Sequence, residues 1–206
     1  MFITFEGLDY SGKSTQVKLL SDRLTLQDYR VLVLREPGGT DIGEKIRKIL
    51  LDKANTGMTE ASELFLFSAS RSQLIQEVVR PALEGGMVVI CDRYYDSTTA
   101  YQGYGRGIAL DVIDTMNMYA TGNLVPDLTF FLDIPIREIE KRMNAIKSNK
   151  DRMESSGIEF YGRVREGYLQ IAKNESRYRV VDGLQPIDQL HELIWQSIEE
   201  LFVSKK

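Results

Sequence analysis

The chain has a single cysteine, Cys91. One thiol excludes an intramolecular disulfide framework and a multi-cysteine zinc site. Its setting, Met87-Val88-Val89-Ile90-Cys91, is that of a buried strand residue in a reducing environment rather than of a reactive nucleophile. No apolar run approaches the ~20 residues that cross a bilayer. Met1 leads straight into the first apolar segment with no charged leader, so neither signal peptide nor membrane span is expected, and a cytoplasmic location is. Basic charge is not in excess either: Lys+Arg 26 against Asp+Glu 30 gives a net charge of -4. The chain as a whole therefore does not advertise nucleic-acid binding, and a phosphate site has to come from local clustering of basic side chains. Internal repeats, low-complexity tracts and linkers are also lacking. The 206 residues are expected to form one domain, 1–206, large enough for a full core.

What is present is a complete P-loop. Gly7-Leu8-Asp9-Tyr10-Ser11-Gly12-Lys13-Ser14 follows the apolar run Phe2-Ile3-Thr4-Phe5 and leads, through Thr15, into helix-period sequence. Gly7 and Gly12 let the backbone turn tightly and aim its N–H groups at phosphate oxygens, at a helix N-terminus whose dipole favours anions. Lys13 adds a point charge for the outer phosphates, and the Ser14 hydroxyl is a Mg2+ ligand type. A nucleoside triphosphate is the expected ligand.

Short apolar runs at Phe2 to Phe5, Val31 to Leu34, Met87 to Cys91, Leu128 to Leu132 and Tyr178 to Val181 predict buried strands. Helix-period sequence separates each from the next. The expected fold is α/β, a five-stranded parallel sheet flanked by helices. Helices are predicted from about Lys13, with Val17, Leu20 and Leu24 inward, and over Ile42 to Leu51, Thr59 to Leu83, Leu110 to Tyr119, Pro135 to Ile146, Gly157 to Ala172 and Pro186 to Phe202. The least apolar stretch, Lys147 to Gly157, reads either as a basic, mobile lid at about 142–156 or as a solvated loop.

Three further segments fall where they can meet phosphate or base. Arg35-Glu36-Pro37-Gly38-Gly39-Thr40 follows the second strand and Asp92-Arg93-Tyr94 the third, so both reach the carboxyl edge of the sheet, where open α/β folds bind ligands. Asp92 is placed to hold Mg2+ through water and Arg93 to meet phosphate oxygens with its forked donors, although a charged strand end is often just solvated. In Glu63-Leu64-Phe65-Leu66-Phe67-Ser68-Ala69-Ser70-Arg71 the Phe67 ring lies one turn before Arg71. Either Phe67 stacks on a base that Arg71 reads, or the aromatics are core and Arg71 snorkels, the core reading being the stronger one for Phe65. Tyr101-Gln102-Gly103-Tyr104-Gly105-Arg106-Gly107 is an ordinary flexible connection or a nucleoside-facing loop.

In order and spacing, these segments resemble the thymidylate kinase family over nearly the whole chain. The resemblance also takes in Pro126-Asp127-Leu128-Thr129, Asp151-Arg152 and Val164-Arg165-Glu166-Gly167-Tyr168. It implies a P-loop nucleoside monophosphate kinase-like fold, transfer of the ATP γ-phosphoryl group to dTMP with Mg2+, and a homodimer. It further implies that Asp9 accepts the deoxyribose 3′-OH, that Glu36 is an acid of the monophosphate site, and that Arg47 and Arg93 hold the acceptor phosphate. Phe67 would stack on thymine, Ser70, Arg71 and Gln102 would read its polar edge, and Tyr101 would wall off a 2′-OH. The loop Asp182-Gly183-Leu184-Gln185-Pro186 would approach adenine. Family members deliver a transition-state arginine from the P-loop or from the lid. The P-loop position here is Tyr10, so the lid must supply it, with Arg152 the first candidate and Arg142, Lys147 and Lys150 beside it. Rival readings are a kinase for another pyrimidine nucleotide or a nucleoside, and a nucleotide-dependent switch that barely turns over.

Overall fold

The computed structural model describes residues 1–145, 151–153 and 157–204. Five parallel strands form one sheet: β1 (Phe2–Glu6), β2 (Val31–Arg35), β3 (Val88–Asp92), β4 (Leu128–Asp133) and β5 (Tyr178–Asp182), in the order β2-β3-β1-β4-β5. Four of them, β1, β2, β4 and β5, run one residue past the predicted carboxyl end, and β3 is shifted by one. The polar residues there still belong to the ladder, with Arg35 in register with Asp92 and Asp133 with Asp182. Apolar patterning marks buried residues in β1, β3 and β4, but the outer strands β2 and β5, also predicted buried, leave Val33 and Val180 about half exposed because each has a neighbour on one side only, and the patterning does not mark the charged residue at a strand end.

Helix α1 (Lys13–Leu26) buries Val17, Leu20 and Leu24 as predicted, and α9 (Ile187–Ser204) lies beside it. Both cover one face of the sheet, where Leu20 and Leu24 meet Ile3, Phe5, Leu132, Ile194 and Trp195 in a cluster sealed from solvent. The other helices begin close to their predicted positions because their starts are signalled locally. Thr40 caps α2 (Asp41–Leu51) by accepting from the Gly43 N–H, and Thr59 caps α3 (Glu60–Leu74) by accepting from the Ser62 N–H. Pro135 and Pro186 sit just before α7 (Ile136–Ala145) and α9.

Two expectations are corrected. The single helix expected over Thr59 to Leu83 is α3, a π-helical turn at Ile75–Val79, and α4 (Arg80–Glu84). Pro81 lacks the N–H that would continue an α-ladder, and the wider turn ahead of it accommodates the loss. The glycine-containing connection after β3 is not a loop but α5 (Tyr95–Thr98) continued as a π-helical segment, Thr99–Gly105. Its glycines allow close contact with α6 (Leu110–Thr121) and α8 (Ile158–Asn174): a Cβ built on Gly103 would lie 2.8 Å from Leu110 and one on Gly105 2.7 Å from Phe160, and on the facing helix a Cβ on Gly167 would lie 2.8 Å from the Tyr104 ring. No described helix is long and apolar enough to cross a membrane.

Candidate active site

Strands β2 and β3 lie on one side of β1, and β4 and β5 on the other. The carboxyl end of β1 is therefore the point where the chain's path across the sheet reverses, and a crevice opens there. The P-loop fills that position. Gly7 turns at φ 142, where a Cβ would lie 2.8 Å from the Leu132 carbonyl oxygen. Tyr10 and Gly12 are left-handed as well. No side chain caps the N-terminus of α1, so its first N–H groups are left to an anion. The buried Lys13 lies back over the loop and donates to the carbonyls of Gly7 (3.1 Å) and Leu8 (2.8 Å). Burial, followed by the charge of Arg93, lowers its ammonium to about 8. Leu8 anchors the loop in the core, while Ser14 and Thr15 face solvent. Ser11 is buried and its N–H donates to the Leu8 carbonyl.

Ser14 Oγ donates to Asp92 Oδ2 at 2.8 Å, so the P-loop hydroxyl and the strand-end carboxylate are brought together. Among the described residues no group of three His, Cys, Asp or Glu side chains forms a metal cage. One hydroxyl and one carboxylate beside a triphosphate site suit a hard cation that keeps several waters and takes phosphate oxygens.

A cleft of about 620 Å³ runs from the P-loop along the carboxyl edge. Asp9, Arg47, Phe67, Arg93, Tyr101 and Gln102 all line it. At its centre Arg93 pairs with Asp9 at 2.7 Å and donates to the Tyr101 hydroxyl at 3.2 Å. Burial works to raise Asp9, but the charges of Arg93 and Lys13 prevail and hold it below the usual carboxylate range. Arg47, on α2, donates to the Pro37 carbonyl at 2.9 Å. Phe67 is half-buried.

Other predicted residues are nearby but engaged differently. Arg71 also lines the cleft, yet it is almost fully buried, pairs with Glu36 at 2.7 Å and donates to Thr98 and to the Tyr94 carbonyl. Burial raises the Glu36 carboxyl, with Arg71 partly offsetting that. Ser70 accepts from the Gly38 N–H at 3.1 Å, fixing the turn after Pro37. Phe65, for which the core reading was the stronger, is 57% exposed on α3: the apolar face of the helix turns toward Leu64 and Ser68 instead. Gly183 donates to the Asp133 carbonyl, which brings the Asp182 loop beside Ser11.

Of the four candidates for the lid's catalytic charge, the two described arginines divide. Arg142 lines the cleft and donates to the Tyr10 carbonyl at 2.9 Å. Arg152 instead pairs with Glu63 at 2.6 Å and donates to the Leu50 carbonyl. Lys147 and Lys150 lie outside the described residues. Sequence reasoning assigned no role to Glu63, which also accepts from Gln102 and Arg106. Its one available signal was an acid at a position where α3 should be apolar.

The comparisons agree with this geometry. A family model described as thymidylate kinase matches residues 5–194. A thymidylate kinase of Pelodictyon phaeoclathratiforme is 48% identical over 99% of this chain and 98% of its own length. One of Caldanaerobacter subterraneus subsp. tengcongensis is 44% identical over 100% and 98%. The crystal structure of thymidylate kinase from Ehrlichia chaffeensis superposes with a TM-score of 0.78 and 36% identity, covering 97% of this chain and 98% of that one. With a P-loop at the reversal point of the sheet and relatives this similar over their full length, the chain belongs to the thymidylate kinase family.

Proposed function

We infer that the chain transfers the γ-phosphoryl group of ATP to dTMP, giving ADP and dTDP. The observation that carries this is the single cleft in which a P-loop, the arginines Arg47 and Arg93, and the aromatic pair Phe67 and Tyr101 face one another. Such a cleft suits a triphosphate at one end and a nucleoside monophosphate at the other.

Little covalent chemistry falls to the protein, whose work is alignment and charge neutralisation. The N–H groups of the P-loop and Lys13 hold the β- and γ-phosphates. Arg93 and Arg47 bring the acceptor phosphate in line. Asp9, locked to Arg93, accepts the 3′-OH, Phe67 stacks on thymine with Gln102 and Arg71 at its polar edge, and Tyr101 fills the space that a 2′-OH would need. Ser14 and Asp92, already paired at 2.8 Å, are the residues that would hold Mg2+, which would neutralise part of the charge on the phosphates. Arg142 is the lid arginine whose position best supports a role over the transferring group, because it already reaches the P-loop at Tyr10. The unit is one domain, 1–206, with a lid at about 142–156.

We also propose a homodimer. Helix α3 packs between α2 and α6, and these three carry exposed Ile42, Ile49, Phe65, Val112, Met118 and Tyr119, an apolar surface of the kind that subunits cover.

ADP release measured with a panel of monophosphates tests the activity. dTMP should be turned over, and dCMP much more slowly, since its exocyclic amine leaves a buried donor facing a donor. Comparable kcat/KM for dCMP and dTMP would defeat the base assignment, and no ADP release with any monophosphate would leave the switch reading.

A further inference from the structure

Glu6 is the only acid of β1, it is sealed from solvent, and none of the roles above uses it. We infer that Glu6 is the positioning residue of Arg93: one carboxylate oxygen pins the backbone turn at Arg93, and the other orients the two hydroxyls on which the guanidinium rests. The inference builds on the assignment of Arg93 to the acceptor phosphate.

The backbone argument starts from Arg93 itself, a non-glycine residue at φ 74. That left-handed conformation persists only where neighbours enforce it. Here β1 holds the two N–H groups of the turn, while the flanking carbonyls of Asp92 and Tyr94 accept from the Glu36 N–H and from Arg71. The Arg93 N–H donates to the Phe5 carbonyl at 2.9 Å, and the next N–H, that of Tyr94, donates to Glu6 Oε1 at 2.7 Å.

The second oxygen governs the side chain. Glu6 Oε2 accepts from Ser97 Oγ at 2.6 Å and from the Tyr168 hydroxyl at 2.8 Å. Each hydroxyl has a single proton, and once both are directed at the carboxylate their lone pairs face outward. Arg93 Nη1 donates to those two oxygens, at 3.2 Å to Ser97 and 3.3 Å to Tyr168, while Nη2 holds Asp9 and Tyr101. Glu6 thus turns two donors into acceptors for a group that can only donate. Burial and the nearby Asp96 charge lift Glu6 to about 7, against hydrogen bonds from Ser97 and Tyr168, so the arrangement is complete above that pH.

Glu6→Gln breaks the logic in either amide orientation. With NH2 toward the hydroxyls, one hydroxyl can donate to the other, 2.8 Å away, but the second proton is left to turn onto the guanidinium, and with NH2 toward Tyr94, two donors meet at the backbone turn. A merely structural Glu6 would weaken every ligand alike, whereas a positioning Glu6 weakens ligands carrying the phosphate that Arg93 meets far more than those that reach Arg93 only through Asp9 and Tyr101.

The test compares the dissociation constants of dTMP and of thymidine, which lacks the phosphate, by calorimetry at about pH 8. Glu6→Gln should weaken dTMP by roughly tenfold or more and thymidine by less than about twofold. Combining it with Arg93→Ala should add no further loss for dTMP beyond Arg93→Ala alone. Tyr168→Phe keeps its ring stacked on Phe131 and should show the same selective loss in smaller measure, which carries the test if Glu6→Gln does not fold. Equal losses for thymidine and dTMP would overturn the inference. So would an unchanged dTMP affinity in Glu6→Gln while Arg93→Ala weakens it. If Arg93→Ala itself leaves dTMP binding unchanged, the phosphate assignment of Arg93 falls, and the role of Glu6 falls with it.

Discussion

Lys13 donates to two carbonyls of its own loop from a buried position, and burial together with Arg93 holds its ammonium down to about 8. Lys13→Ala should therefore lower kcat by roughly 10²-fold or more, as expected for loss of a charge placed on the transferring group. Its thermal unfolding should match that of the wild type, and unchanged turnover would remove the P-loop from the mechanism. The same residue sets a pH dependence. If the lysine meets phosphate as the ammonium, raising the pH through about 8 deprotonates the free enzyme, and kcat/KM for ATP should drop about tenfold per pH unit there. Bound phosphates favour the charged form, so kcat should hold to higher pH. In Lys13→Arg the kcat/KM limb should vanish, and a limb that persists belongs to another group. Lys13 was legible because its P-loop is local, eight consecutive residues whose chemistry follows from spacing. Arg71 was legible only as a cleft residue, since its partner Glu36 lies 35 positions away, and no local pattern announces a pair closed across two elements.

At the scale of elements, the two arginines of the proposed lid and the π-helical segment carry the surprises. Arg142 extends from α7 to the P-loop, whereas Arg152 is held by Glu63 of α3 and by the end of α2. Arg142→Ala should lower kcat by roughly 10²-fold with little change in dTMP affinity, as for a contact made chiefly in the transition state. Arg152→Ala should affect kcat less. If steady-state kinetics give the reverse order, the segment acts only after the Arg152–Glu63 pair opens. The packing of Thr99–Gly105 makes a separate claim. Gly167→Ala would push a methyl group against the Tyr104 ring, and overpacking of that kind costs about 1–3 kcal/mol, read as a lower denaturation midpoint at constant slope. An unchanged midpoint would mean that the segment yields without cost. The starts of α7 and α9 were readable from Pro135 and Pro186, but the π-helical form of Thr99–Gly105 was not. Glycine-rich sequence signals a loop unless neighbouring helices press on it, and here α6 and α8 supply that pressure from distant parts of the chain.

Over the whole molecule, the five strands and their parallel arrangement could be read because each is an apolar run between helical periods, whereas the exposed faces of α2, α3 and α6 carry no comparable signal. If those faces join two copies, Phe65→Glu should shift the sedimentation coefficient to that of a monomer, and an unshifted value at micromolar concentration would place the contact elsewhere. The one thiol of the chain leads to a different kind of experiment. Cys91 lies in β3 between β1 and β2, in register with Thr4 and Leu34, and burial pushes its thiol well above the usual range. A modifying reagent can reach it only when the sheet comes apart, so alkylation of this chain needs no engineered probe to act as a clock for cooperative opening. ATP or dTMP should slow that clock in proportion to 1 + [L]/Kd, so one labelling rate, followed by mass against ligand concentration, reads affinity and stability from the same atom.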